Sequence, residues 1–277
     1  MVDRFALARM LGDAGIPDAF FDAGCIEAQF PGEEDRLAAA KRRMAGEPLQ
    51  YILGEWEFYG MRLFVGEGVL IPRPDTETLI DTLLPLCKGR RGLRVVDLCT
   101  GSGCIALSLA KHLDGALVTG LDLSVQALSY ARRNSDYHAL PVSWQEADVC
   151  DRAAAAQFSG VDVLVSNPPY LTAQEMTVLQ REVTYEPACA LFGGEDGLVF
   201  YRTVTQLWTP CLAPGGILAY EIGETQGKAV EAILNAHGYT GVRTVHDLAG
   251  QPRVVYGMRP PGSDYIAPGI SPAGGST

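Results

Sequence analysis

Residues 93–107 read LRVVDLCTGSGCIAL, and this stretch decides the fold class. Its first half, from Leu93 to Leu98, is a short apolar run rich in β-branched residues, which predicts a buried strand. Gly101 and Gly103 follow, and a helical pattern begins at Ile105. A strand that enters a Gly-rich turn and continues as a helix is typical of α/β sheets that bind a ligand at the helix N-terminus. A tight turn without a ligand is the alternative.

Strand and helix patterns alternate along the rest of the chain. Six further strands are predicted, at 117–122, 142–147, 161–166, 216–221, 241–245 and 254–258. Helices are predicted among them, at 125–134, 198–208 and 226–236. This alternation favours an α/β fold with a mainly parallel, seven-stranded sheet and helices on both faces.

The remaining segments suggest four parts. Residues 1–46 are predicted to be a small N-terminal helical appendage, and 47–74 a linker in which strand-like alternation between 51 and 65 indicates a β-hairpin. Residues 75–259 form the predicted main domain. The tail at 260–277 is rich in Pro, Gly and Ser, without periodicity, and is predicted to be disordered.

Composition excludes several classes of function. The chain has 22 Lys and Arg against 33 Asp and Glu, and this net charge of -11 predicts no nucleic-acid partner. The seven cysteines lack C-x-x-C spacing and the four histidines are scattered, so we expect no metal site. No apolar run reaches about 18 residues, which predicts a cytoplasmic protein without a membrane partner.

A carboxylate ends the second predicted strand. Asp122 stands about 20 residues beyond the glycines, where an acidic side chain can accept hydrogen bonds from both hydroxyls of a ribose. Its position therefore predicts a nucleoside cofactor. An Asp beside the start of a helix near Ser124 is the alternative. The loop alone does not exclude NAD, because Ala106 is tolerated at the third glycine position of that fingerprint.

Asn167-Pro168-Pro169-Tyr170 follows the fourth predicted strand and is the most specific short motif in the chain. Two prolines cannot donate to a sheet ladder, so the segment must leave the sheet as a rigid extended turn. A planar NH2 group could then donate to the Asn167 side-chain oxygen and the Pro168 carbonyl, while Tyr170 packs on its flat face. A proline turn with a purely structural role is the alternative.

This arrangement suits one kind of chemistry. The lone pair of an amide-like nitrogen is delocalised, so the nitrogen is a weak nucleophile. Two acceptors that hold its N–H bonds favour the developing positive charge and fix the nitrogen in line with a sulfonium methyl. We therefore predict an N-methyltransferase that uses S-adenosylmethionine rather than NAD, with Asn167, Pro168 and Tyr170 as catalytic residues.

Longer motifs resemble the HemK family of release-factor glutamine N5-methyltransferases, which has the class I methyltransferase fold. The matching segments are 46–54 (GEPLQYILG), 70–77 (LIPRPDTE), 166–170 (SNPPY), 185–187 (YEP), 190–191 (AL), 197–198 (GL), 221–223 (EIG) and 247–253 (DLAGQPR). The resemblance covers roughly residues 46–258 and implies that the substrate is the glutamine amide of a peptide release factor.

The resemblance also implies roles for individual residues. Those implied to bind the cofactor are Cys99, Thr100, Gly101, Ser102 and Gly103 at its methionine part, Asp122 at the ribose, Asp148 and Val149 at the adenine, and Asn167. Those implied to bind the substrate are Asn167, Pro168, Pro169 and Tyr170, with Arg73 and Glu77 either contacting substrate or bracing their loop.

Two departures from the family pattern keep an alternative open. Cys99 stands where the family usually has Gly, so the loop should be tighter around the cofactor. The appendage before Gly46, which the family uses to engage a protein substrate, is shorter than expected. The alternative substrate is therefore a free amino acid, amide or guanidine, such as arginine. A cofactor-binding protein without catalysis, and an enzyme that methylates nucleic-acid amino groups, rank below both.

Overall fold

The computed structural model describes residues 2–260. The α-helices in this range are α1 (Arg4–Asp13), α2 (Ala19–Gln29), α3 (Glu33–Met44), α4 (Leu49–Leu53), α5 (Glu77–Leu86), α6 (Cys104–His112), α7 (Val125–His138), α8 (Arg152–Ala155), α9 (Val199–Trp208) and α10 (Gly227–Ala236). The strands are β1 (Glu55–Phe58), β2 (Met61–Phe64), β3 (Arg94–Leu98), β4 (Leu117–Asp122), β5 (Val142–Glu146), β6 (Val161–Ser166), β7 (Leu212–Glu221), β8 (Thr240–His246) and β9 (Pro252–Met258). Apart from its first residue, the predicted tail at 260–277 lies outside this range.

Seven strands form one sheet in the order β5-β4-β3-β6-β7-β9-β8. The strands from β5 to β7 are parallel, and β9 runs antiparallel to both β7 and β8. The prediction of a mainly parallel seven-stranded sheet is therefore confirmed. The chain builds outward from β3 in one direction and then from β6 in the other, so the sheet has a topological switch point between β3 and β6.

Both faces of this sheet are buried. In β3, Val95 packs into the core beneath α5 and α6, whereas Val96 packs into the opposite core with Tyr201 and Trp208 of α9. Successive side chains of a strand point to opposite faces, so a strand buried on both sides reads as a continuous apolar run. This explains why residues 93–98 show no alternation of polar and apolar residues.

The N-terminal helices have a small core of their own. Leu7 and Leu11 of α1 pack with Ile26 of α2, and Leu49 and Ile52 of α4 join the same cluster. The predicted strand-like pattern at 51–54 is wrong, because these residues complete α4 and its C-cap, Gly54, at a φ of 76°. A short apolar run does not distinguish helix from strand, and here packing on the helical cluster decides. The domain limits at 46, 74 and 259 stay predictions.

The predicted hairpin is formed by β1 and β2, which pair through a turn at Tyr59 and Gly60. Both turn residues have positive φ, as a two-residue turn between twisted strands requires. The buried side chain of Asn134 in α7 fixes the hairpin: it accepts from the Phe64 amide at 2.6 Å and donates to the Ser102 carbonyl at 3.0 Å. The hairpin is therefore fastened beside the Gly-rich loop.

Candidate active site

The candidate site lies at the switch point of the sheet. Leu98, the last residue of β3, pairs with Ser166, the last residue of β6, and the Ser166 hydroxyl donates to the Leu98 carbonyl at 2.7 Å. The Gly-rich loop and Asn167 therefore leave the same edge of the sheet side by side. Ligands of open α/β sheets bind at this edge, outside the carboxyl ends of the strands.

The Gly-rich loop adopts left-handed backbone conformations at three residues. Cys99 has a φ of 60°, Gly101 of 57° and Gly103 of 82°. A non-glycine residue seldom occupies this region, so Cys99 is held there by its surroundings. The next residue, Thr100, supplies the anchors: its amide donates to the Leu121 carbonyl at 2.9 Å, and its hydroxyl donates to Asp97, a buried residue of β3, at 2.5 Å.

Asp122 both braces this loop and faces the cavity beside it. One carboxylate oxygen accepts from the Gly101 amide at 2.8 Å, and the other accepts from the Ser124 amide at 2.9 Å. Burial raises the pKa of Asp122, and these backbone donors oppose the shift. Each carboxylate oxygen has a second lone pair, so the side chain can still accept hydrogen bonds from a ribose.

A cavity of about 360 Å³ extends from the loop along the edge of the sheet. Most of the predicted cofactor residues line it, namely Cys99, Thr100, Gly101, Ser102, Asp122, Asp148, Val149 and Asn167. A Cβ atom at Gly101 would meet nothing closer than Val69, at 4.0 Å, so the missing side chain leaves space inside the cavity. A mostly apolar cavity with a ribose acceptor fits the nucleoside and sulfonium of S-adenosylmethionine.

Gly103 is not among the residues that line this cavity, and a Cβ atom on it would lie 2.7 Å from the Trp144 ring. Its positive φ and the close approach of this ring account for the glycine, and its predicted contact with a cofactor stays a prediction.

The N-P-P-Y segment is held by hydrogen bonds at its C-terminal end. The Leu171 amide donates to the Leu191 carbonyl, and the Gly193 amide donates to the Leu171 carbonyl, both at 2.8 Å. The Gln226 side chain donates to the Tyr170 carbonyl at 3.0 Å. These bonds fix the direction of the segment before any substrate binds.

A second cavity, of about 530 Å³, lies on the other side of this segment. Its lining includes Gln50, Arg73, Asn167, Tyr170, Glu186 and Glu221. Asn167 and Arg73 line both cavities, whereas Pro169 lines only the first and Tyr170 only the second. The buried Pro168 lines neither and joins the residues that do. Asn167 is thus positioned where a group in one cavity can meet a group in the other.

Two polar residues to which the sequence analysis assigned no role, Thr76 of the 70–77 motif and Glu221 of the 221–223 motif, lie beside Asn167. Its side-chain nitrogen donates to the Thr76 hydroxyl at 3.3 Å. Glu221, at the end of β7, is 1% exposed, and burial raises its pKa to about 7 although the nearby Thr76 and Asn167 side chains favour its ionised form. The available signal was the position of Glu221, because it ends the strand next to β6, where Ser166 pairs with Tyr220.

Arg73 and Glu77 have different surroundings. Arg73 forms an ion pair with the buried Glu186, whose other oxygen accepts from the Ile71 amide at 2.9 Å. This contact joins the 70–76 loop to the segment after N-P-P-Y. Glu77 lines neither cavity and accepts from the Tyr59 amide at 2.8 Å, so it braces the hairpin turn. Arg73 is thus the only one of the two that reaches the site.

Two further properties concern the described range, residues 2–260. No group of three or more His, Cys, Asp or Glu side chains is arranged there to hold a metal ion. No helix in that range has the length and apolar character needed to cross a membrane.

Comparison with known proteins agrees with this architecture. Residues 74–204 match the family described as "Methyltransferase small domain", a range that includes both the Gly-rich loop and N-P-P-Y. A methyltransferase structure from Pyrococcus furiosus has a TM-score of 0.54 at 17% identity, covering 82% of this chain and 99% of that one, which shows a shared fold.

Two curated relatives have a more specific name. The protein of Thermodesulfovibrio yellowstonii called "Release factor glutamine methyltransferase" is 41% identical over 219 residues, which is 78% of this chain and 77% of that protein. The protein of the same name from Koribacter versatilis is 42% identical over 224 residues, covering 80% and 78%. The chain described here belongs to the family of release factor glutamine methyltransferases.

Proposed function

We propose that this protein transfers a methyl group from S-adenosylmethionine to the side-chain amide nitrogen of a glutamine in a peptide release factor. The position of Asn167 carries the proposal, because this residue lines both cavities at the switch point of the sheet. A methyl transfer requires donor and acceptor to approach in line through a common opening.

The first cavity would hold the cofactor, which supplies an electrophilic methyl group on a sulfonium. Residues 99–102 would line its methionine part, and Asp122 would accept from its ribose. Asp148 and Val149, which line the same cavity, would contact the adenine. The Gly101 amide is already bonded to Asp122, so the loop would bind the cofactor without being rebuilt.

The second cavity would hold the glutamine side chain. The Asn167 side-chain oxygen and the Pro168 carbonyl would each accept one hydrogen of the NH2 group, and Tyr170 would pack on the amide plane. These acceptors would stabilise the positive charge that develops on nitrogen during the attack. Because the backbone bonds at Leu171 and Gly193 hold the segment in advance, this alignment would need little reorganisation.

A protein substrate is favoured over a free amino acid, amide or guanidine. Both relatives reported above are named for release factors, and this chain covers more than three quarters of each. The N-terminal helices, although short, form a packed cluster that continues through α4 to Gln50 at the second cavity. A substrate protein could therefore contact these helices while its glutamine enters the cavity.

A radiolabel experiment tests this proposal. The purified protein is incubated with S-adenosylmethionine labelled in its methyl group and with a purified release factor, free glutamine or free arginine. We expect label in the release factor alone, and mass spectrometry should place it on a glutamine. Replacement of that glutamine by Asn provides the matched control. Label in a free amino acid and none in the release factor would refute the proposed substrate.

A further inference from the structure

Glu221 is a buried carboxylate beside the candidate catalytic residue, and the reaction as described does not use it. It lies at the carboxyl end of β7, lines the second cavity and is 1% exposed. Within residues 2–260 its Oε2 atom has no hydrogen-bond partner. Burial of an unpaired carboxylate destabilises a protein, so the position of Glu221 suggests a functional role.

The groups that face Glu221 come from several elements. Thr76, in the turn before α5, and Asn167 lie beside its carboxylate and favour its ionised form, while Arg253 of β9 attracts it. The other titratable or charged groups around Glu221 or in its cavity are Asp75, Cys104, Tyr170, Tyr201, Arg73, Glu175, Glu182 and Glu186. Arg253 forms ion pairs with Asp247 and Asp75, so its charge is shared.

The chemistry of these groups limits the directions in which they can hydrogen-bond. An ionised carboxylate can only accept, so the neighbouring Thr76 hydroxyl can serve Glu221 only as a donor of its single hydrogen. The Thr76 oxygen can then only accept from Asn167, and the atom within reach, at 3.3 Å, is the side-chain nitrogen. With its nitrogen engaged, the Asn167 carboxamide must turn its oxygen away from Thr76.

We propose that Glu221 is a positioning residue that acts with Thr76 to orient the Asn167 carboxamide so that its oxygen, not its NH2 group, meets the substrate nitrogen. The inference rests on the proposed function only in that the substrate nitrogen is an NH2 group. A flipped carboxamide would direct two N–H donors at the N–H donors of the substrate. Glu221 therefore selects the productive orientation without touching the substrate.

The first test measures kcat and KM of the release-factor reaction from pH 6 to pH 9. Burial raises the pKa of Glu221 to about 7, so we expect wild-type kcat to fall below that pH. In Glu221→Gln, and in Thr76→Val, kcat should be about tenfold lower and independent of pH in this range, with KM little changed. Thr76→Ser keeps the hydroxyl and should behave as wild type. So should Glu231→Gln, which alters a carboxylate on α10 that bonds to Thr244.

Coupling to Asn167 distinguishes orientation from a general structural effect. Because Glu221 acts through Asn167, the double variant Asn167→Ala, Glu221→Gln should be no slower than Asn167→Ala alone. Cofactor affinity, measured by calorimetry, should be unchanged in Glu221→Gln. Wild-type kcat with an unaltered pH profile in both Glu221→Gln and Thr76→Val would overturn the proposal, as would fully additive losses in the double variant.

A second readout needs no substrate. In the ¹⁵N-labelled protein, the Asn167 side-chain NH2 signals, assigned by their loss in Asn167→Ala, should shift with a midpoint near pH 7 in wild type and not in Glu221→Gln. If these chemical shifts do not change with pH in the wild type, the inference is refuted even if the release factor is methylated. If the release factor is not methylated but the signals titrate, the proposed substrate fails and the inference stands.

Discussion

The side-chain nitrogen of Asn167 lies 3.3 Å from the hydroxyl oxygen of Thr76. The two residues are 91 positions apart in the chain, one after β6 and the other at the start of α5. Their contact joins the N-P-P-Y segment to the loop that contains Arg73. It leaves the Asn167 oxygen as the atom available to a substrate amide.

Replacement of Asn167 by Ala should remove the central acceptor and leave the fold intact. We expect turnover of the release factor to fall by about 100-fold or more, as for the loss of one positioned transition-state partner. Single-turnover kinetics with the release factor measures the effect. Asn235→Ala, an exposed change on α10, serves as the control. Near-normal turnover in Asn167→Ala would remove this residue from the mechanism.

Replacement of Asp122 by Ala should mainly weaken cofactor binding. The carboxylate would accept from the ribose and already accepts from the Gly101 and Ser124 amides, so its loss removes a charged acceptor and loosens the loop. We expect affinity to fall by about 10- to 100-fold, which corresponds to one or two hydrogen bonds to a charged group. Calorimetry with S-adenosylmethionine provides the measurement, with the exposed Asp114→Ala as control. Equal affinities in the two variants would contradict this role.

Gly103→Ala should lower stability more than it lowers cofactor affinity. The new alanine would have to adopt a φ of 82°, and its Cβ atom would lie 2.7 Å from the Trp144 ring. We expect a loss of about 2–4 kcal/mol, combining the left-handed conformation with overpacking. Gly115→Ala also has a positive φ, of 64°, but its Cβ atom would meet only an ordinary contact, the Gly92 amide nitrogen at 3.8 Å, so it separates the two effects. If both variants unfold at the same denaturant concentration, contact with Trp144 does not explain this glycine.

Loss of the contact between Arg73 and Glu186 should loosen the wall of the second cavity. Glu186→Ala leaves Arg73 and the Ile71 amide without their acceptor. We expect the KM for the release factor to rise by about tenfold, because the loss of this acceptor leaves the Ile71 amide and the partly exposed Arg73 unpaired at the cavity wall. Asp196→Ala breaks an exposed pair with Arg202 and should leave KM unchanged. An unaltered KM in Glu186→Ala would show that this contact does not shape the substrate site.

Stability should decrease as pH rises from about 4 to about 7. Burial raises the pKa of both Asp97 and Glu221 to about 7. The folded protein then holds protons that the unfolded chain releases, so each group lowers the unfolding free energy by up to about 1.4 kcal/mol per pH unit in this window. Asp97→Asn removes the contribution of Asp97 to the pH dependence of the unfolding free energy. Urea unfolding at pH 5, 6 and 7.5 should show a shallower decrease in Asp97→Asn than in wild type or Asp114→Asn, and equal slopes would refute the assignment.

The sheet and the Gly-rich loop after β3 could be predicted from the sequence because each depends on a short run of adjacent residues. A β-branched run, two glycines and a proline pair each impose a conformation on a few adjacent residues. Thr76 and Glu221 were not predictable as neighbours of Asn167, since only the strand order brings them to it. The segment at 51–54 was misassigned because packing on α1 and α2, rather than its own pattern, makes it helical.

The most direct test is a crystal structure of this protein with S-adenosylhomocysteine and a glutamine-bearing peptide of the release factor. We expect the cofactor sulfur in the first cavity and the glutamine side chain in the second. The amide nitrogen should then lie within hydrogen-bonding distance of the Asn167 side-chain oxygen and the Pro168 carbonyl. An N-P-P-Y segment turned away from the sulfur, or a glutamine bound outside the second cavity, would contradict the proposed catalytic role of Asn167 and Pro168.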